Sequence, residues 1–529
     1  MGVLTILSFL FFTLLVALIS YFKTRKEDLE TSDGYFLGGR SLTAWVIGGS
    51  LMLTNLSTEQ LIGLNAEGYE FNMSSMGWEV GSAIALVIVA FYFLPKYLKG
   101  GITTIPDFLE ERFDSATKQF VTILFLFGFI FNLLPPILYS GAVALSTMFN
   151  VPEMLGVSST TALWITVWVV GTVGSLYAIF GGLKAVAVSD TINGIGLILG
   201  GLLIPLLGLM ALGDGSPVTG FRSIMDNTPE KLNAVGGESD PVPFGTMFTG
   251  MILVNLYYWG MSQHIMQRAI AAKNLKEGQK GLLIAAFLKL AGPIFLILPG
   301  IIAYNMFGAN MTSMEAYPAL VNEVLPLPLV GFFAAVLFGA ILSSFNSVLN
   351  STVTLIVLNI YKPYFKPNAP DSKLIRDGKV IGTLLAIFAM SVAPLIALVP
   401  QGFFQYLQMV NGFYNVPIFT VILIGYLTKR VPAIAAKISL VLFISVYATT
   451  QLFWDTGLHF LHILAVMFVV CTLLMLVIGK IKPRETAYKL EDKKVVDMTP
   501  WRLVYPVGFA AVIAMLIVFL IFSEAGIAA

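Results

Sequence analysis

Apolar runs of about twenty residues recur along the whole chain, and each is long enough to span the roughly 30 Å hydrocarbon core of a bilayer. They predict fourteen helices, near 2–22, 44–70, 78–98, 119–148, 159–181, 187–213, 244–270, 281–306, 329–361, 378–399, 401–427, 431–454, 457–479 and 503–525. The first run has no basic residue ahead of it, its apolar stretch is long, and Lys23, Arg25 and Lys26 follow at once. It reads as a spanning helix with an inside anchor rather than a cleaved leader.

The polar segments between the runs predict an orientation. Alternate loops from 23–43 onward, with their flanking helix ends, hold 28 of the 31 Lys and Arg residues. The other set of loops holds Arg222 and Lys231, and Lys289 lies inside a span. Basic residues stay on the cytoplasmic side, so loop 23–43 is expected inside and both termini outside. Composition agrees with a membrane protein. Only 12% of residues are charged and 57% are hydrophobic, whereas a soluble domain is about a quarter charged. A net charge of +1 offers no basic face to nucleic acid, and the single cysteine, Cys471, excludes a disulfide framework. The outer segment 214–243 is expected to be partly ordered surface structure, and the inner stretch 480–502 a solvated basic linker.

Polar groups inside spans are costly and face a cavity or a partner. In the second span, Asn55, Ser57, Thr58, Glu59 and Gln60 interrupt an apolar helix among Gly48, Gly49 and Gly63. That pattern suits a broken helix whose freed carbonyls line a cavity. Glu79 and Ser82 share a helix face beside Trp78, where Glu79 is either solvated or part of a site. Asn255, Tyr257, Tyr258 and Trp259 combine an amide with flat aromatic faces, the pair of features a sugar needs for its hydroxyls and its C–H faces. Lys289 sits about 12 Å into a span and needs a partner; pairing with Glu79 would satisfy both, whether or not substrate also touches it. Ser343 and Ser344 are hydroxyls in an apolar helix, and with carbonyls of a broken helix they suit a small hard cation. Asp190 either caps the sixth span or takes part in ion coupling. His264, His459 and His462 form no metal-ligand cluster and no nucleophile–base pair is evident, so an enzyme is not expected.

The segments YFLGGRS (35–41), NLSTEQLIG (55–63), GITTIPDFLEERF (101–113), GGLKAVAVSDTING (181–194), NLYYWG with QR (255–268), AAFLKL (285–290) and SSFNSVLNST (343–352) resemble the sodium/solute symporter family, in family order and over nearly the full length. Within it the chain is similar to the sodium/glucose–galactose cotransporter branch. The resemblance implies an all-α polytopic protein of LeuT-like fold. It would comprise a leading helix and inner loop (1–43), a five-helix repeat (44–213), an outer loop (214–243), an inverted five-helix repeat (244–427) and three further helices (428–529). It implies sugar contacts at Gln60, Glu79, Ser82, Asn255, Lys289 and Gln408, an inner gate at Tyr258, and an outer lid of Trp78, Leu64 and Phe404. The sodium ligands would be the carbonyls of Leu53, Leu56 and Ala340 with the hydroxyls of Ser343 and Ser344. Two departures stand out. The lid positions of Trp78 and Leu64 hold Tyr and Met in the sugar pattern, and Met409 stands where that pattern has an acidic residue after Gln408. The expected activity is sodium-coupled import of a hexose across the cell membrane, with no cofactor. Its alternatives are a polyol or acidic sugar as cargo, proton coupling through Asp190 or Glu79, or a sugar-gated sensor or leak of the same fold.

Overall fold

The computed structural model describes residues 3–24, 40–398 and 403–528; the side chains of 3, 17, 20, 21, 23, 24, 53, 177–191 and 403 lie outside the described set. Motif 35–41 therefore falls mostly outside it, as does the Asp190 side chain. Among the described residues the chain is helical, with only isolated β-bridges. Ten helices among the described residues are long and apolar enough to cross a membrane, and an eleventh crossing is a pair, Leu275–Leu290 and Gly292–Phe307, bent by 53°. The expected fourteen are not all met by this measure. Several side chains of the leading helix α1 (Val3–Thr24) lie outside the described set, so its full apolar length does not enter the count, and the expected spans 44–70 and 244–270 are both broken in the middle. The expected pair 159–181 and 187–213 is one continuous helix by backbone assignment, Ser159–Leu212, within which Ser159–Leu176 and Ile192–Leu212 each qualify as a span.

The first break separates α2 (Ala44–Asn55) from α3 (Thr58–Glu70). In a continuous helix the Ser57 N–H would close on the Leu53 carbonyl; here it donates to the Asn55 carbonyl at 2.7 Å, and Ser57 is extended (φ −71°, ψ 163°). The second break separates α4 (Gly250–Met261) from α5 (Gln263–Ile270) at Ser262, which is also extended (ψ 122°). Close approaches of backbone position these pieces. Asn65 on α3 accepts from the Gly300 N–H at 2.9 Å, and a Cβ on Gly300 would lie 1.9 Å from the Asn65 carbonyl oxygen. Likewise α1 lies against α6 (Leu327–Thr354): Thr5 Oγ1 donates to the Leu327 carbonyl at 3.3 Å, and Gly331 brings the chains together where a Cβ would meet the Thr5 carbonyl at 2.2 Å.

The stretch 480–502, expected as a solvated linker, keeps most side chains in solvent but docks its backbone across one face of the bundle. Arg484 N–H donates to the Arg430 carbonyl (2.8 Å), Lys493 N–H to the Lys99 carbonyl (3.0 Å), and Leu275 N–H to the Asp497 carbonyl (3.0 Å). Arg484 also donates to the Arg112 carbonyl at 2.6 Å. Arg112 is fully buried and holds the carbonyls of Gly425, Thr428 and Val431, the end of helix Asn415–Leu427. Burial, with nearby Arg484, lowers its pKa to about 10.

Candidate functional site

Both helix breaks open onto one cavity of about 90 Å³. Its wall is built from Asn55, Ser57, Glu59 and Gln60 at the first break, Ser82 and Trp78 on the next span, Asn255 and Tyr258 on α4, and His264 on α5. Asn132, Ser344 on α6, and Phe404, Gln408 and Asn411 on α7 (Phe403–Asn411) complete it.

Glu79 and Lys289 do not line this wall. Both side chains are fully buried behind it as an ion pair. Lys289 Nζ donates to Glu79 Oε2 and to Asn55 Oδ1, and Gln60 Nε2 donates to Glu79 Oε1. Each member thus has partners, the condition under which a charge pair survives in an apolar interior. Asn55 Nδ2 in turn donates to the Tyr258 hydroxyl at 3.2 Å, which links the ion pair to the ring that closes one side of the cavity. The His264 ring stands edge-on to Tyr258 (5.6 Å between centroids), its Nδ1 on the Ser262 hydroxyl at 2.8 Å. On the opposite side Trp78 and Phe404 meet edge-to-face at 6.2 Å. Gly63 lets Phe404 close down; a Cβ there would lie 2.9 Å from the Phe404 Cβ. Leu64 is fully buried and is not among the lining residues.

Among the described lining residues, four keep a buried hydrogen-bonding atom without a protein partner: Thr54 Oγ1, Glu59 Oε2, Gln60 Oε1 and Asn255 Nδ2. Asn255 Oδ1 accepts from the Ser82 hydroxyl at 2.9 Å, so the amide is oriented while its N–H pair is left over. Gln408 is oriented the same way. Asn411 Nδ2 donates to Gln408 Oε1 at 3.0 Å, while Asn132 Nδ2 donates to Asn411 Oδ1 at 3.0 Å and to the Leu407 carbonyl at 3.2 Å. Sequence reasoning missed Asn132, Asn411 and His264. Asn132 reaches the cavity from a π-helical segment, Gly128–Leu133, that precedes Pro135 and Pro136; prolines withhold N–H donors and disturb the helical register. The spacing of Gln408 and Asn411, three apart on one helix face, was the available signal for Asn411.

At one edge of the cavity α6 faces the first break. The Ser344 hydroxyl donates to the Thr54 carbonyl at 3.4 Å, and the Ser343 hydroxyl is buried without a partner. Ala340 lies one turn earlier, fully buried. Leu53 and Leu56 bracket Thr54 at the end of α2. The residues present offer neutral oxygens only, a donor set suited to a weakly held monovalent cation.

The sodium:solute symporter family matches residues 35–442 of the chain. An uncharacterized symporter, YidK, of Escherichia coli K12 is 48% identical over 99% of this chain and 92% of its own length. A sodium/glucose cotransporter of Vibrio parahaemolyticus is 34% identical over 83% of this chain and 84% of its own length. Among solved structures, a substrate-bound outward-open sodium-coupled sialic acid symporter superposes with a TM-score of 0.76 at 20% identity, over 92% of this chain and 99% of that one, a likeness of fold.

Proposed function

Because the chain belongs to the sodium:solute symporter family, we propose that it imports a neutral hexose, galactose- or glucose-like, across the cell membrane, driven by sodium through alternating access. It is a sodium-coupled solute symporter and not an enzyme. The sugar reading rests on the chemistry of the cavity wall. Amides, hydroxyls and the Glu59 carboxylate line it, with unpartnered atoms on Thr54, Glu59, Gln60 and Asn255, and aromatic rings stand at both ends. No Lys or Arg is among the described lining residues, since Lys289 is turned to Glu79 and Asn55. A carboxylate-bearing cargo would find no cation there, which favours a neutral sugar or polyol over an acidic sugar. The 34% identity to a sodium/glucose cotransporter supports the same choice.

In this reading Gln60, Ser82, Asn255 and Gln408 hold the sugar, and Glu79 with Lys289 braces Gln60 and Asn55 from behind. Tyr258 is the inner gate, and Trp78 and Phe404 the outer lid. Sodium takes the carbonyls of Leu53, Leu56 and Ala340 with the Ser343 and Ser344 hydroxyls, fastening the broken helix to α6. Asp190 is assigned to ion coupling. The two broken helices open corresponding positions of two inverted repeats, 44–213 and 244–427, a pattern that marks binding sites in such transporters. Fourteen spans, with both termini outside, complete the topology. Sodium binding first favours the outward-open state and tightens sugar; by reciprocity sugar tightens sodium. One sodium moving down 100 mV supplies about 2.3 kcal/mol before its concentration gradient is counted, enough for about 50-fold accumulation.

The test is competition. Sodium-driven uptake of labelled galactose into proteoliposomes is challenged with unlabelled glucose, myo-inositol and sialic acid. Inhibition by glucose and none by sialic acid supports the reading; inhibition by sialic acid alone, or no galactose uptake at all, overturns it.

A further inference from the structure

A second cavity, about 460 Å³, lies away from the polar site, between α1, helix Leu134–Met148, the short helix Val151–Leu155, the Ser159–Leu176 span and α6. Its wall is apolar apart from Thr13 and Thr166. Thr166 Oγ1 donates to the Ala162 carbonyl at 2.8 Å, and Thr13 Oγ1 is buried without a partner. Water needs two to four polar partners to settle in such a space, and one hydroxyl does not provide them. Protein interiors also hold few voids larger than a water molecule, so a dry space of this size calls for an occupant.

The surroundings identify that occupant. The mouth is flanked by Leu10 (47% exposed) and Val169 (59% exposed), lining side chains on the bilayer-facing surface of α1 and the Ser159–Leu176 span. The cavity is thus continuous with the hydrocarbon of the membrane. It runs from the short helix Val151–Leu155, which joins two spans, to Val173, fourteen residues into the Ser159–Leu176 span. That is about 21 Å along a helix, comparable with the depth of a single leaflet. We propose that one acyl chain of a membrane lipid occupies this cavity as a fixed component of the protein. Its inner wall carries Phe338 (5% exposed) and Val170 (3%), which bulk lipid does not reach. Phe338 meets Phe9 edge-to-face at 5.6 Å, and Phe9 meets Phe149 at 5.3 Å, so these rings close the cavity floor where α1 meets α6, the helix that bears Ser343 and Ser344, and the acyl chain lies on them.

The test is photolabelling. The full-length protein in vesicles is exposed to a phosphatidylcholine with a diazirine near the end of one acyl chain, then digested and mapped by mass spectrometry. Adducts at Val170 and Phe338, comparable in yield to those at lipid-facing Leu516, are the expected result. Val170→Phe, which narrows the cavity, is expected to cut the Phe338 adduct at least five-fold while leaving Leu516 labelled. Adducts confined to exposed positions such as Leu14, Val169 and Leu516 in the native chain overturn the proposal, whatever the variant does.

Discussion

Removing Lys289 tests whether the Glu79–Lys289 pair is an internal brace or a free pair of sugar ligands. Both side chains are fully buried, both Glu79 oxygens are engaged, and Lys289 also holds Asn55. Lys289→Met removes one partner and leaves a carboxylate with only Gln60. Breaking a buried pair in this way costs about 3–5 kcal/mol, two to nearly four decades in the unfolding equilibrium. Replacing both charges with groups of similar volume is often neutral, so Glu79→Gln with Lys289→Met is expected to regain most of that loss. The assay is the melting midpoint of the monodisperse peak in detergent for wild type, Lys289→Met, Glu79→Gln and the double variant. A large drop in each single variant and recovery in the double variant is the expected pattern. Single variants as stable as wild type would mean that the pair stands in water, and the brace described above would be wrong.

Ser344→Ala deletes the hydroxyl that bonds the Thr54 carbonyl, so sodium stimulation of transport is expected to vanish within the accessible concentration range; an unchanged sodium activation curve refutes the ion site. Gly63→Leu places a side chain where even a Cβ lies 2.9 Å from Phe404, and is expected to lower the uptake rate at least ten-fold with little change in melting midpoint; wild-type rates contradict the lid assignment. Lys231, in the outer loop, donates to the Tyr69 and Phe71 carbonyls at 2.8 and 2.9 Å, and burial pushes its pKa down to about 8 from 10.5. Between those values the unfolded chain holds a proton that the folded chain has released, so this group makes stability rise as pH climbs from about 8 to 10.5. Lys231→Met is expected to flatten the stability profile over that window, and an identical profile in the variant contradicts it.

The sequence is most informative where polar residues break an apolar pattern. NLSTEQ between glycines marks the first helix break, and the energetic cost of isolated charges in a membrane points Lys289 to Glu79 from the sequence alone. The second break at Ser262 is harder to see, because one serine in NLYYWGMSQ hardly disturbs an apolar run. The docking of 480–502 leaves no side-chain signature, since backbone hydrogen bonds do most of it. Asn132 looks like any lone amide until the π-segment ahead of Pro135 aims it. Leu64 aligns with a lid position and, like Trp78 and Phe404, is buried, but unlike them it is not among the residues lining the cavity.

The most direct test of sodium-driven sugar import is accumulation. Proteoliposomes holding the purified chain are given an inward sodium gradient and labelled galactose, with internal sugar followed over time. The account predicts an internal concentration above the external one, which collapses on adding a sodium ionophore. Equilibration without overshoot, at the same rate with and without the gradient, would contradict it and leave a sugar-conducting leak instead.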